Sequence, residues 1–351
     1  MSAARDPTSP AAPGANAAGL TRADYRGAPS TLCPGCGHDS ITNHLQTALF
    51  EADISPLRAA KFSGIGCSSK TTNYFMNQSH GLNAVHGRMP AIATGALLAN
   101  HTLLGIGISG DGDTASIGLG HFVHILRRNV KLVYIIENNG VYGLTKGQFS
   151  ATADLGTLSK AGERNELPAI DCCAVSILMG CGFVARSFSG DRKQLVPLLK
   201  AAMQHRGTAV IDVISPCVTF NDHAGSTRSY DYVKAHDEPL HEVGFTPGCA
   251  AHAVADDEGE SPTEVELPDG SVIALRKLER EHDPRDREAA LRLLEQARQR
   301  GELVTGLIYI DPASRPFHES LRLGATPLAM LPDEKLRPSR EALQAIMAEL
   351  A

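Results

Sequence analysis

The sequence predicts an α/β protein with an open, mainly parallel sheet, helices on both faces of that sheet, and a C-terminal α+β extension. Strongly apolar segments at 103–109, 130–136 and 208–214 alternate with helical segments. Such alternation is typical of parallel strands joined by right-handed crossovers. Gly-rich turns follow several of the strands, and the alternation ends near residue 235, where the charge density rises.

The first two thirds of the chain supply the elements of the predicted sheet. Apolar periodicity predicts a helix at 41–51 with Asp39 or Ser40 as its N-cap, because both residue types are favoured there. A short strand is expected at 61–67, ending in a Gly-Cys turn. Helices are expected at 88–101, 117–128, 169–179 and 192–205.

The two ends of the chain differ from this pattern. Residues 1–19 are rich in Ala, Pro, Ser and Gly and are predicted to form a disordered tail. Near the other end, VELPDGSVIAL predicts a hairpin around Asp269 and Gly270, followed by a charged helix at 284–299, a strand at 303–310 and a helix at 339–350. The predicted organisation is therefore a tail at 1–19, a domain at 20–235 and an extension at 236–351 packed on that domain.

The composition excludes several classes of function. The 351 residues carry a formal net charge of -6, which argues against general nucleic-acid binding. No apolar run is long enough for a signal peptide or a membrane-spanning helix, so we expect a cytoplasmic protein that does not bind membranes. Eight cysteines in such a protein favour metal binding or catalysis over disulfides.

Two polar loops follow neighbouring predicted strands. GDGD begins at Gly110, and ENNGVYGL begins at position 137 after the next strand. Parallel strands bring such loops to one edge of the sheet. Asp111, Asn139 and the carbonyl of Val141 offer the hard oxygen ligands that Mg²⁺ prefers together with phosphate. Gly110 and Gly112 would let the backbone approach a diphosphate.

Each of these loops taken alone is more often a tight turn between strands than a ligand site. Their pairing, with one helix and one strand between them, resembles the GDG…NN signature of thiamine-diphosphate enzymes. The sequence therefore predicts a magnesium–diphosphate site at this edge of the sheet.

Four cysteines lie in loops. Cys33 and Cys36 form a Cys-x-x-Cys pair, while Cys67 and Cys217 each follow a predicted strand. Four thiolates suit a [4Fe–4S] cluster, although a Cys-x-x-Cys pair also occurs in zinc sites and redox dithiols. The remaining cysteines are expected to be structural, and they are Cys172, Cys173, Cys181 and Cys249.

These motifs occur together in one family. The series CPGCGH, GIGCSSK, HGR, GDGD, ENNGVYGLTKGQ and SPC resembles the β subunit of 2-oxoacid:ferredoxin oxidoreductases. The resemblance covers about residues 24–235. It continues through EVELPDGS and GELVTGLIYIDP, which are similar to chains of the 2-oxoglutarate type.

The resemblance implies a role for each matching position. Cys33, Cys36, Cys67 and Cys217 would ligate the [4Fe–4S] cluster, and Asp111, Asn139 and Val141 would hold Mg²⁺. Leu144 would support the bent form of the cofactor, and Lys70 and Lys146 would contact substrate carboxylates or order the loop above the site. The residues lining thiamine diphosphate would be Ile65, Gly66, Cys67, Ser68, His86, Gly110, Gly112, Asp113, Gly143 and Leu144.

The resemblance also implies a reaction and partners. A 2-oxoacid, expected to be 2-oxoglutarate, would be decarboxylated oxidatively to an acyl-CoA such as succinyl-CoA, or formed in the reverse carboxylation. Coenzyme A would accept the acyl group and ferredoxin the electrons. The glutamate that activates the cofactor would lie on an α subunit, or on a fused γ/α subunit.

Other functions fit parts of the sequence. A β subunit specific for pyruvate or another 2-oxoacid would carry the same motifs. A non-redox thiamine enzyme would not need the four loop cysteines, and a zinc protein would leave GDGD and ENN as ordinary turns. Only a substrate assay separates the first alternative, whereas iron content excludes or supports the second, and metal analysis with a thiamine-binding assay does so for the third.

Overall fold

The computed structural model describes residues 13–247, 263–277 and 282–350. The helices are α1 (Gly37–Glu51), α2 (Met89–Ala99), α3 (Leu119–Arg128), α4 (Cys172–Leu178), α5 (Arg192–Gln204), α6 (Tyr230–His236), α7 (Arg287–Arg300), α8 (Phe317–Ser320), α9 (Asp333–Leu336) and α10 (Arg340–Glu349). The strands are β1 (Ala59–Ser63), β2 (His80–Asn83), β3 (Leu104–Gly110), β4 (Leu132–Asn138), β5 (Val141–Tyr142), β6 (Gln148–Phe149), β7 (Phe183–Phe188), β8 (Thr208–Ile214), β9 (Asp237–Pro239), β10 (His241–Thr246), β11 (Thr263–Glu266), β12 (Val272–Lys277) and β13 (Leu303–Ile310).

The main sheet confirms the predicted α/β class. Within the described residues it has eight strands in the order β2-β1-β3-β4-β8-β7-β13-β9. Its neighbouring strands run parallel, except that β13 runs antiparallel to β7. Every residue of β4 and β8 is buried, as expected for central strands covered on both faces.

Helices cover both faces of the sheet, and each face has its own apolar core. On one face, α1 and α5 contribute Leu45 and Leu199 to a cluster with Val133 of β4. On the other face, α2, α3, α4 and α7 pack around a cluster that includes Phe122 and Tyr134. The helices do not cover the end of the sheet where the strands finish, so loops form the surface there.

The predicted extension 236–351 does more than pack on the core. Its strands β9 and β13 belong to the main sheet, where β13 pairs with β7. The predicted hairpin is confirmed as β11 and β12, which pair antiparallel and form a smaller sheet with β10. The change in composition near residue 235 therefore marks no boundary of the main sheet.

Several local predictions differ from the structure. Helix α1 begins at Gly37 with Cys36 as its N-cap residue, so the expected cap at Asp39 or Ser40 was wrong. Residues 1–12 of the predicted tail lie outside the described residues, and so does Cys249 of the extension. The Asn16 side chain, by contrast, donates to the Tyr25 hydroxyl at 2.8 Å and to the Phe50 carbonyl at 2.9 Å. The described part of the tail is thus tied to α1.

Across the described ranges, no helix has both the length and the apolar composition that crossing a bilayer requires.

Candidate functional site

A cleft opens at the carboxyl ends of β1, β3 and β4, where the sequence predicts the diphosphate site. Strand β3 leads into Gly110 and Asp111, and β4 leads into Asn139. The predicted thiamine-lining positions all border this cleft, and they are Ile65, Gly66, Cys67, Ser68, His86, Gly110, Gly112, Asp113, Gly143 and Leu144. The loops thus bring together residues from four segments of the chain.

Asp111 is the buried carboxylate at the centre of the cleft. Its Oδ2 accepts hydrogen bonds from the Gly140 amide at 3.1 Å, from the Thr152 hydroxyl at 2.7 Å and from the Ser150 hydroxyl. Its Oδ1 accepts one longer hydrogen bond, from the Asn139 amide at 3.3 Å. Burial raises the pKa of Asp111 despite these donors. A bound cation would offset that cost of burying the charge.

Asn139 and Val141 complete the predicted magnesium ligands. The Asn139 side-chain oxygen accepts a hydrogen bond from the Val141 amide at 3.0 Å, which forms a tight turn directly after β4. Both residues are buried beside the cleft, at 5% and 4% exposure. One carboxylate, one amide oxygen and one carbonyl fit an ion that takes its remaining ligands from phosphate and water.

The described residues contain no group of three or more His, Cys, Asp or Glu side chains arranged around a single ion. That finding does not disagree with the magnesium prediction, because the predicted ligand set has only one carboxylate.

The glycines of GDGD let neighbouring groups lie closer to the backbone than a side chain would allow. A Cβ at Gly112 would lie 2.5 Å from the Tyr142 ring, and the Tyr142 hydroxyl donates to the Gly112 carbonyl at 3.2 Å. Gly110 would place a Cβ 3.1 Å from the Ser68 hydroxyl. The backbone therefore forms the floor of the cleft, as expected where a diphosphate must approach closely.

Asp113 orients the HGR segment. Its Oδ1 lies 2.7 Å from His86 Nδ1 and accepts a hydrogen bond from the Gly87 amide at 2.9 Å. Asp113 is buried, whereas the His86 side chain is 43% exposed at the rim of the cleft. The acidic residue therefore sets the position of a histidine that lines the cleft.

The four predicted cluster cysteines border a second pocket that adjoins the cleft. Cys33, Cys36, Cys67 and Cys217 all line it. A Cβ placed on Gly143 would lie 3.5 Å from Cys217 Sγ and 3.7 Å from Cys67 Sγ, so both sulfurs contact the loop that lines the cleft. The Thr219 hydroxyl also contacts Cys33 Sγ at 3.4 Å.

The protonation of these thiols depends on what they bind. Burial raises the pKa of Cys36 to about 12. Burial and the neighbouring Cys217 raise the pKa of Cys67, which Lys70 partly counteracts. Without a metal the thiols of Cys36 and Cys67 stay protonated at neutral pH, so thiolate ligation by these two residues would need the positive charge of a bound metal.

Lys70, Lys146 and Leu144 lie at the junction of the two pockets. Both lysines border the cysteine pocket, and Leu144 borders both pockets. Leu144 is 51% exposed in the isolated chain. Lys146 has a φ of 85°, a left-handed conformation that is uncommon for a residue other than glycine. The loop 143–147 thus holds a lysine in a strained turn above the site.

Sequence reasoning missed a buried polar group between the pockets. His38, which lines both of them, lies 2.5 Å from the Ser215 hydroxyl and 3.8 Å from a Glu137 oxygen. Thr71 donates to Glu137 at 3.1 Å. Burial raises the pKa of Glu137 well above its usual value and lowers that of His38 to about 4, so burial favours the neutral form of each side chain.

The sequence did contain a signal for these two residues. His38 ends the CPGCGH motif and Glu137 begins ENN, so both adjoin residues that were predicted to bind metals. The remaining described cysteines, Cys172, Cys173 and Cys181, are buried in the apolar core as predicted.

Comparison with known protein families agrees with the prediction of a thiamine-diphosphate site in this cleft. Residues 64–213 match the family model described as thiamine pyrophosphate enzyme, C-terminal TPP binding domain. Residues 274–324 match the model that describes the C-terminal part of the pyruvate ferredoxin oxidoreductase beta chain.

Individual relatives extend the comparison. The chain is 45% identical over 191 residues to a 2-oxoacid:ferredoxin oxidoreductase subunit beta of Sulfolobus sp., covering 54% of this chain and 63% of the relative. It is 37% identical over 193 residues to the 2-oxoglutarate synthase subunit KorB of Methanocaldococcus jannaschii, covering 55% and 71%. The match thus spans less than two thirds of the Sulfolobus relative and more than two thirds of the second.

A solved structure matches nearly the whole chain. It is the 2-oxoglutarate:ferredoxin oxidoreductase from Magnetococcus marinus with 2-oxoglutarate, coenzyme A and succinyl-CoA bound. The similarity has a TM-score of 0.71 at 28% identity and covers 94% of this chain and 96% of that one. The motif loops meet at one edge of the sheet, and the relatives share the sequence and the fold of the chain. The chain therefore belongs to the β subunits of 2-oxoacid:ferredoxin oxidoreductases.

Proposed function

We propose that this chain is the β subunit of an enzyme that oxidises 2-oxoglutarate to succinyl-CoA, or runs the reverse carboxylation, with ferredoxin as electron partner. One observation carries the proposal. The cleft around Asp111 and Asn139 shares Gly143 and Leu144 with the pocket of four cysteines. A cofactor that cleaves a 2-oxoacid and a cluster that accepts electrons would therefore be neighbours.

The proposed cofactors supply chemistry that side chains lack. Thiamine diphosphate, when bound, supplies the carbanion chemistry that breaks the bond between a 2-oxoacid's carboxylate and its keto carbon. A [4Fe–4S] cluster supplies electron transfer in single-electron steps. The chain's own residues bind these groups, orient them and limit the access of water.

The diphosphate end would be held by oxygen ligands and backbone. Asp111, with its Oδ2 occupied by three donors, would direct the less engaged Oδ1 toward Mg²⁺. Asn139 and the Val141 carbonyl would supply the other protein ligands. Gly112 would let the diphosphate approach the backbone because glycine has no side chain, and a Cβ there would lie only 2.5 Å from the Tyr142 ring.

The substrate end would be held by lysines. 2-Oxoglutarate has a second carboxylate, which needs a cationic partner when it leaves water. Lys70 and Lys146 border the pocket next to Leu144, and each carries a flexible stem that can extend toward the cleft. Names of relatives support this substrate, since several are 2-oxoglutarate enzymes.

A partner chain would complete the site. Two apolar side chains at or next to the cleft are exposed: Leu144, which lines it, at 51%, and Val85, which precedes the lining residue His86 in the chain, at 70%. Such residues are typical of a surface that is covered by a second protein chain. We therefore propose that an α subunit, or its fused γ/α equivalent, covers the cleft and supplies the glutamate that activates the cofactor.

The test is reconstitution. The chain is co-expressed anaerobically with its α subunit, and reduction of ferredoxin is followed with a panel of 2-oxoacids, with and without coenzyme A. We expect turnover that requires both subunits and has a higher kcat/KM for 2-oxoglutarate than for pyruvate. A ratio below one would reject the substrate, and turnover by the isolated chain would reject the shared site.

The lysines are tested in the same assay. Lys70→Ala and Lys146→Ala should each lower the ratio of kcat/KM for 2-oxoglutarate to that for pyruvate. Lys193→Ala is the control, because Lys193 is exposed on α5 and borders neither pocket. An unchanged ratio in both test variants would leave the substrate in place and remove these lysines as its determinants.

A further inference from the structure

A chain of buried hydrogen bonds runs from Asp111 across three strands of the main sheet. The Thr152 hydroxyl lies 2.7 Å from Asp111 Oδ2 and 3.0 Å from the Asn138 side-chain oxygen. The Asn138 amide donates to Asp212 Oδ1 at 2.9 Å, and Arg186 Nε donates to Asp212 Oδ2 at 3.1 Å. The chain thus joins β4, β8 and β7.

We infer that Thr152, Asn138, Asp212 and Arg186 are positioning residues for the magnesium ligand Asp111. This inference rests on the proposed function, because it assumes that Asp111 binds Mg²⁺ with thiamine diphosphate. The four residues would fix the carboxylate in the orientation that binds the ion, without touching the ion themselves. Partners of this kind commonly affect metal affinity nearly as strongly as the ligands do.

The packing of the four residues supports a rigid connection. Their exposure is between 1% and 8%, so no solvent competes for their hydrogen bonds. Arg186 and Asp212 are directly paired across β7 and β8. At its outer end Arg186 also donates to Asp171 Oδ1 at 2.8 Å, and Asp171 caps helix α4. The network is thus anchored in the sheet and in a helix.

A second anchor holds the backbone of Thr152. Arg228 Nη2 donates to the Thr152 carbonyl at 3.1 Å, and Arg228 Nη1 pairs with Asp154 at 2.7 Å. The Thr152 hydroxyl lies within hydrogen-bond distance of three side-chain oxygens, those of Asp111 at 2.7 Å, Ser150 at 2.9 Å and Asn138 at 3.0 Å. Its single proton is donated to one of them at a time, and Asp111 is the nearest.

Stability alone does not account for this arrangement. Removing charges from water costs several kcal/mol per ion, and apolar residues of similar volume often replace a buried ion pair without loss of stability. The surrounding strand positions are apolar and buried, so the sheet could accommodate such residues. The polar series instead ends at the residue that the site requires in one orientation.

The experiment measures the affinity for Mg²⁺ directly. The α–β complex is freed of Mg²⁺ and thiamine diphosphate, and the dissociation constant of Mg²⁺ is measured by calorimetry at saturating thiamine diphosphate. Thr152→Val should raise this constant by about 10-fold to 100-fold, the range typical of partners of metal ligands. Thr152→Ser keeps the hydroxyl and should stay close to wild type.

Two further variants separate positioning from packing. Asp212→Asn changes the residue that follows Asn138 in the network and should also raise the dissociation constant of Mg²⁺. In the double variant with Thr152→Val, the rise in this constant should be smaller than the product of the two single effects, because both act through one path. Thr208→Val is the matched control. Thr208 is fully buried on β8 and donates to the Val130 carbonyl at 2.7 Å, but it lies at the other end of the strand.

The outcomes are distinct. Wild-type complex that binds no Mg²⁺ with thiamine diphosphate would overturn the proposed function and this inference with it. Wild-type binding with unchanged constants in Thr152→Val and Asp212→Asn would overturn the inference alone. An equal loss in Thr208→Val would also overturn it, since the effect would then be general destabilisation. If Thr152→Val does not fold, Asp212→Asn decides.

Discussion

At the scale of single residues, the site combines groups that would be costly to bury alone. Asp111, Glu137 and Cys36 are all buried, and burial raises the pKa of each. Hydrogen bonds offset part of that cost for the carboxylates. Bound metals would offset the rest at Asp111 and Cys36, whereas at Glu137 and His38 burial favours the neutral form.

Cys217 provides the sharpest test of the cluster. Cys217→Ala removes a sulfur that contacts the Gly143 loop, so we expect the protein to lose iron and acid-labile sulfide. Cys172→Ala removes a thiol of similar size from the apolar core and should retain both. The measurement is iron and sulfide content after anaerobic purification. A full cluster in the Cys217 variant would contradict the ligand assignment.

Asp111 provides the corresponding test of the magnesium site. Asp111→Ala should abolish Mg²⁺-dependent binding of thiamine diphosphate, because it removes the only charged protein ligand predicted for the ion. The cluster should remain, since its cysteines lie on other loops. Calorimetric titration and iron analysis of the same sample check both halves. Undiminished binding would show that the ion is held elsewhere.

At the scale of secondary-structure elements, the C-terminal segment has two very different parts. Strand β13 completes the main sheet, and its Leu307 is fully buried. Helix α10 has no buried residue, and Leu343, Ile346 and Met347 are all more than half exposed. The same stretch of sequence therefore contributes strongly to stability at one end and little at the other.

This contrast predicts the effects of two changes. Leu307→Ala should lower the free energy of unfolding by about 2–5 kcal/mol, the usual cost of a cavity in a packed core. Deleting residues 340–351 should leave the unfolding of the chain nearly unchanged. Urea unfolding followed by circular dichroism measures both. A large loss on deletion would indicate that α10 packs against the chain.

At the scale of the whole molecule, buried histidines connect stability to pH. Burial lowers the pKa of His38, His205 and His241 to about 4. The unfolded chain binds a proton at each of them below about pH 6.5, whereas the folded chain stays neutral there until about pH 4. Each histidine therefore makes folding less favourable as the pH falls from 6.5 to 4.

His205 isolates this effect because it lies away from the site, next to Phe183. Between about pH 7.5 and 5.5, wild type should lose about 1 kcal/mol more of its free energy of unfolding than His205→Leu does. Urea titrations at both pH values give this difference. Buried carboxylates with raised pKa act in the opposite direction in both proteins, so they cancel. Equal losses would contradict the lowered pKa of His205.

Much of the whole molecule and its site was predictable from the sequence. The apolar runs of β3, β4 and β8 were recognisable because central parallel strands are buried on both faces. Strand β7 was missed because Arg186 and Ser187 interrupt its apolar pattern. The buried Arg186 is tolerated there because Asp212 lies on the adjacent strand, which no local pattern reveals.

The sequence by itself determined the chemistry of the donors: the loop cysteines, Asp111, Asn139 and the glycines each stand in a motif of a few residues. Only the tertiary structure decided what surrounds them. It placed β13 beside β7, His38 near Glu137, and Thr152 beside an Asp111 that is 41 residues away in the chain. The physical reason is that periodicity reports which face of an element is buried, whereas partners across strands depend on how the whole chain crosses the sheet.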